Sequence, residues 1–122
     1  MAEDLPRLGP LERHVMTILW DSTAELSTRE VLERTGQPLA YTTVATVLGN
    51  LARKGLVERV PAGRSFNFRP LVSRSEYTAG VMSEALATGG DRRDALLHFV
   101  GTMSAEDTAL LRQLLDQGEP AT

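Results

Sequence analysis

The sequence predicts a mainly α-helical fold with one small β-hairpin, arranged as two consecutive modules. Three observations carry this expectation. Apolar residues recur at helical spacing along most of the chain, Ser-x-x-Glu signals precede two of those stretches, and one pair of alternating segments flanks a Gly-containing turn.

Pro10 stands at a first-turn position, and Leu11, Val15, Ile18 and Leu19 follow at i, i+4, i+7 and i+8 as the stripe of a first amphipathic helix. Ser27-Thr28-Arg29-Glu30 forms a capping box, in which the Ser27 hydroxyl accepts from the Glu30 N–H while the Glu30 carboxylate reaches back. The short second helix turns Val31 and Leu32 inward and stops at Gly36 and Pro38. A third helix runs from about Tyr41 to Lys54, with Val44, Val47, Leu48 and Leu51 as its apolar stripe and Gly55 as its stop. Leu56 to Val60 and Ser65 to Arg69 then alternate as two strands around the turn residues Pro61-Ala62-Gly63-Arg64. A hairpin alone is marginal in water, so Phe66 or Phe68 is expected to pack it on the helices.

After Pro70 the pattern is purely helical. Ser73-Arg74-Ser75-Glu76 is a second capping box leading a helix with Tyr77, Val81, Met82 and Leu86, which ends at Gly89-Gly90. Asp91 caps a fifth helix bearing Leu96, Leu97, Phe99 and Val100. Ser104-Ala105-Glu106-Asp107 starts a sixth carrying Leu110, Leu111, Leu114 and Leu115.

Helix, helix, helix, hairpin is the order of a winged helix-turn-helix. Residues 5–71 are therefore assigned to a winged-helix domain, 72–117 to a three-helix module and 118–122 to a disordered tail. The last three helices offer more apolar surface than such a layer buries by itself, which points to a homodimer, the alternative being that they fold back on the winged domain of the same chain. The expected dimerisation residues are Tyr77, Val81, Met82, Leu86, Leu96, Phe99, Val100, Leu111, Leu114 and Leu115.

Composition narrows the function. The chain has 122 residues, 13 basic against 16 acidic, so a basic total does not advertise nucleic acid. The distribution does: residues 40–70 hold five basic residues against one acidic, a local +4, and residues 71–122 hold four against eight, a local −4. Absence of cysteine excludes disulfides and thiolate metal sites and fits a reducing compartment. The acidic start Met1-Ala2-Glu3-Asp4 and the lack of any apolar run approaching the roughly 18 residues of a membrane span place the chain in the cytoplasm, without membrane insertion. His14 and His98 are the only histidines, and no nucleophile elbow or phosphate-binding Gly-Lys loop occurs; no enzyme, metal or cofactor is expected.

The third helix carries the functional expectation. At 100° per residue its buried stripe centres near Val44, leaving Thr42, Thr46, Gly49 and Arg53 on the opposite side, flanked by Thr43, Ala45 and Asn50. Small hydroxyl- and amide-bearing residues suit a helix that must approach base edges closely in the major groove of duplex DNA. Arg53 and Lys54 at its C-terminal end are expected to meet phosphates. Tyr41 falls nearer the buried side, as a packing or phosphate-contacting residue. Thr28 and Arg29, at the positive end of the second helix, form a further phosphate site, and Arg64 at the hairpin tip reaches a phosphate or the minor groove. The competing readings are a winged-helix module that binds protein and a regulator that responds to a small ligand.

These residues also resemble the penicillinase and methicillin-resistance repressor family of BlaI/MecI type. The resemblance lies in Leu8-Gly9 through Glu12 with the following Val-Met and Leu-Trp pairs, in Tyr41-Thr42-Thr43-Val44 with Thr46-Val47-Leu48, in Leu51 with Lys54-Gly55-Leu56-Val57, and in the Gly63-Arg64 hairpin. It implies a homodimer that binds a dyad operator and blocks transcription, often of genes for resistance to cell-wall antibiotics. It also implies relief by a membrane-bound sensor protease, with a cut between Asn and Phe in the dimerisation part. The matching position is His98-Phe99, where the Phe agrees and the Asn does not. Copper-responsive relatives carry a C-terminal cysteine cluster; its absence argues against metal-thiolate sensing.

Overall fold

The computed structural model describes residues 8–118, so the start of the expected first domain and most of the expected tail lie outside the described residues. The order is α1 (Pro10–Asp21), β1 (Leu26–Ser27), α2 (Thr28–Thr35), α3 (Tyr41–Arg53), β2 (Val57–Ala62), β3 (Ser65–Pro70), α4 (Arg74–Thr88), α5 (Arg92–Thr102) and α6 (Ala105–Asp116). They fall into two compact units that divide inside α4, between Met82 and Ser83.

In the first unit, α1 to α3 and the sheet enclose one core. The helical stripes meet there: Val15, Met16 and Leu19 from α1, Val31 from α2, and Val44, Leu48 and Leu51 from α3. Each fully buried side chain of this kind contributes about 1.5–3 kcal/mol. Leu32 and Val47 are only half-buried, at the margins of their stripes. Phe68 is the aromatic that closes the core against the hairpin, whereas Phe66, two residues nearer the tip, is exposed.

The hairpin is longer and its turn tighter than its sequence indicates. Pro61 and Ala62 continue β2, opposite Phe66 and Ser65, and only Gly63 and Arg64 make the connection. Gly63 has φ 65° and Arg64 no positive φ, the pattern of a type II′ turn with glycine first. The sheet also has a third strand: β1 pairs antiparallel with β3, Leu26 opposite Phe68 and Ser27 opposite Asn67, giving the order β1-β3-β2.

The first turns of α4 belong to this unit. The Trp20 Nε1–H donates to the Val72 carbonyl at 2.9 Å, the Trp20 and Tyr77 rings lie 5.7 Å apart, and Arg74 sits over Trp20 while bonding Asp21 at 2.7 Å. Tyr77 was expected to face a second copy. It is buried here instead, because the indole of α1 offers it a partner within the chain.

The second unit is different in kind. Both of its helix starts are well specified, with Asp91 capping α5 and Ser104 capping α6, just as Ser73 and Glu76 reciprocally cap α4 in the first unit. Yet no residue of α5 or α6 is buried. Leu96, Phe99, Val100, Leu111, Leu114 and Leu115 all stand exposed, Leu115 at 69%. Among the described residues, no helix is long and apolar enough to cross a membrane.

Candidate nucleic-acid interface

The interface is assembled from the second and third helices and the wing. Ser27 closes α2 as a capping box, its Oγ accepting from the Glu30 N–H at 3.1 Å and its own N–H donating to Glu30 Oε1 at 2.8 Å. The N–H and hydroxyl of Ser27 hold the Glu30 carboxyl below the ordinary glutamate range. Gly36, at φ 66°, reverses the chain out of α2 into the short turn before α3.

On α3, burial of Val44, Leu48 and Leu51 fixes which side is free. Thr42, Thr43, Thr46 and Arg53 are exposed, and Ala45, Gly49 and Asn50 are half-buried at its edges. Tyr41 is 47% exposed rather than turned to the core, because it opens the helix and its ring lies under the Arg29 guanidinium, 5.8 Å away. That cation–π contact joins the starts of α2 and α3. Asn50 Oδ1 accepts from Arg53 Nη2 at 2.9 Å, which leaves the Asn50 amide N–H groups directed by a fixed oxygen.

Two expected contact residues take other work. Thr28 is buried, so its side chain is not part of the surface. The Lys54 ammonium bonds both carboxylate oxygens of Glu12, at 3.1 and 2.8 Å, with both side chains largely covered. Burial by itself would raise the Glu12 carboxyl; the Lys54 hydrogen bond, the Gly9 N–H and the charges of Lys54 and Arg53 outweigh it and hold the group below its ordinary value. Lys54 thus ties the end of α3 to the start of α1.

The local positive charge is accordingly smaller than the sequence count. Arg69 is bonded to Glu58 across the hairpin at 2.9 Å. Among the described residues, Arg29, Arg53, Arg59 and Arg64 have no acidic partner within ion-pair distance, and all four are exposed. Arg64 occupies the wing tip. Arg59 was not among the expected contacts, yet its guanidinium lies alongside α3 at Gly49. The alternation of β2 carried a signal for it, since Arg59 stands two residues after inward-facing Val57.

Winged-helix, DNA-binding transcription regulators are constructed in this way, and the comparisons with known proteins place the chain among them. The Penicillinase repressor family model matches residues 8–117. The transcriptional regulator BlaI of Mycobacterium tuberculosis is 42% identical over 120 residues, covering 94% of this chain and 87% of that protein. Among solved structures, the DNA-binding domain of the repressor BlaI aligns with TM-score 0.54 and 26% identity, over 61% of this chain and 92% of that one. The monomeric form of Bacillus licheniformis BlaI in complex with the blaP half-operator aligns with TM-score 0.51 and 26% identity, over the same shares. The chain belongs to the penicillinase repressor family.

Proposed function

We propose that the chain is a homodimeric repressor that reads an inverted-repeat operator with α3 in the major groove. The observation that carries this reading is the outer side of α3, where Thr42, Thr43 and Thr46 stand free of the core beside arginines that, among the described residues, have no carboxylate within ion-pair distance. Hydroxyls and methyls there meet base edges, and the Asn50 amide, toward the C-terminal end of α3, meets the backbone that borders the groove. Arg29, Arg53 and Arg64 hold the backbone on either side, with Tyr41 fixing Arg29. The half-operator complex of the Bacillus licheniformis relative supports duplex DNA as the partner.

Dimerisation is supported by the exposed apolar side chains of α5 and α6, joined by Val81 and Met82 on α4 and by half-buried Leu86. A second copy covering them would hold two α3 helices about one turn of duplex apart, roughly 34 Å. The regulated genes are those of antibiotic resistance or cell-wall stress, as family membership favours. Relief comes from a sensor-triggered cut or a related signal. His98 and Phe99 lie within α5, so a cut there would remove part of the surface that joins the two copies.

Selecting bound fragments from genomic DNA tests the reading. Sites with two-fold symmetry are expected; recovery of no enriched sequence, or of sites lacking symmetry, would reject it.

A further inference from the structure

The wing brings to the reader helix a cation that the sequence pattern did not place there. Arg59 on β2 is opposite Phe68 on β3, and cross-strand partners share a face, so Arg59 leaves the hairpin on the side of buried Val57 and Phe68. β2 is an edge of the sheet, and the side chain passes along α3 rather than into the core. Its Nη2 lies 3.5 Å from the point a Cβ on Gly49 would occupy. Gly49 follows Thr46 by three residues on the same outer stripe, one turn nearer the C-terminal end.

The guanidinium is exposed, and no hydrogen-bond acceptor among the described residues engages it, whereas Lys54 and Arg69 are tied to Glu12 and Glu58. A planar group with five unmatched N–H donors, lying in the angle between a groove-entering helix and its wing, is suited to a phosphate. Base contact is the poorer fit, because recognition helices meet base edges with their N-terminal residues and leave the groove toward the other end. A glycine at position 49 keeps the space open: an alanine Cβ would make ordinary contact with the guanidinium, and anything longer would compete for its seat.

We propose that Arg59, seated on Gly49, is a phosphate clamp in the cleft between α3 and the wing, holding the duplex backbone that borders the groove. This rests on the DNA-reading function above. Because a phosphate contact is independent of sequence, random 30-base-pair duplex is the probe, titrated by fluorescence anisotropy across a salt series. Relative to the unmodified full chain, Arg59→Gln should weaken binding roughly tenfold at low salt and reduce the slope of log K against log salt by about 0.9. Arg59→Lys should keep the slope. In a Gly49→Leu background, Arg59→Gln should change little, since the seat is already filled. An unchanged slope for Arg59→Gln, or an equal loss with and without Gly49→Leu, overturns the clamp while leaving the DNA-reading function standing. Unmodified chain that shows no salt-dependent duplex binding removes both. Arg59 is exposed, so thermal midpoints of the Arg59 variants should match the unmodified chain; a midpoint lowered by Arg59→Gln would make the contact with Gly49 structural and overturn the proposal.

Discussion

Replacing Lys54 by alanine separates a strut from a DNA contact. The ammonium bonds both oxygens of Glu12, and the two side chains retain only 26% and 17% of their exposure, so the pair is neither a free surface bridge nor a fully desolvated one. Exposed pairs contribute about 0–1 kcal/mol and hydrogen bonds to charged groups about 1.5–3 kcal/mol. An intermediate cost of about 1–2 kcal/mol follows. For a cooperative unit of this size that lowers the thermal midpoint by roughly 4–16 °C, measurable by circular dichroism or calorimetry. The pH dependence supplies a second reading. Glu12 is held below its ordinary value in the fold, so its contribution is present above the unfolded value and is lost as pH falls through the folded one. Lys54→Ala removes the leading favourable interaction, so the variant should lose less stability than the parent on acidification through that window. Salt-dependent DNA binding, measured below the melting range of both proteins, should keep its slope. A slope reduced by about 0.9 with an unmoved midpoint would refute the assignment and return Lys54 to the phosphate contacts.

Thr46→Glu should leave the fold intact and cost at least about 1–3 kcal/mol in binding to a selected site, with altered base preference; equal losses on selected and random duplex would remove Thr46 from the reader. Leu111→Asp, on an exposed position of α6, should shift sedimentation toward a monomer without lowering the helicity of the first unit, and an unchanged dimer would remove α6 from the interface. Tyr77→Ala should destabilise the first unit by about 3 kcal/mol, near the cost of deleting a buried aromatic, and alter the emission of Trp20, the one tryptophan of the chain. Unchanged emission and midpoint would mean that the ring is not packed on Trp20.

Much of the fold was readable because its signals are local. The Ser27 and Ser73 capping boxes, the Asp91 and Ser104 caps and the Val44-Leu48-Leu51 stripe each act within a turn or two, and each forms as its spacing dictates. What escaped is non-local. β1 has two residues, too few for any periodicity, and exists only because Phe68 and Asn67 stand opposite. The Glu12–Lys54 pair joins groups 42 positions apart, so Lys54 read as a free cation. Tyr77 has helical spacing that fits either partner, and only the position of Trp20 decides between them. The outer side of α3 was legible because burial of one face determines the other; Arg59 was not, because its reach depends on how the hairpin lies against the helix.

Ser27 belongs to two structures at once. Its main chain stands opposite Asn67 in the sheet while its hydroxyl and N–H close the first turn of α2. The hairpin and the helix that supports the reader therefore share a rivet, and a tilt of one is transmitted to the other within a single residue. The base of the hairpin is in this sense seated on α2 within the folded chain, whereas the tip at Gly63 and Arg64 extends beyond that pairing.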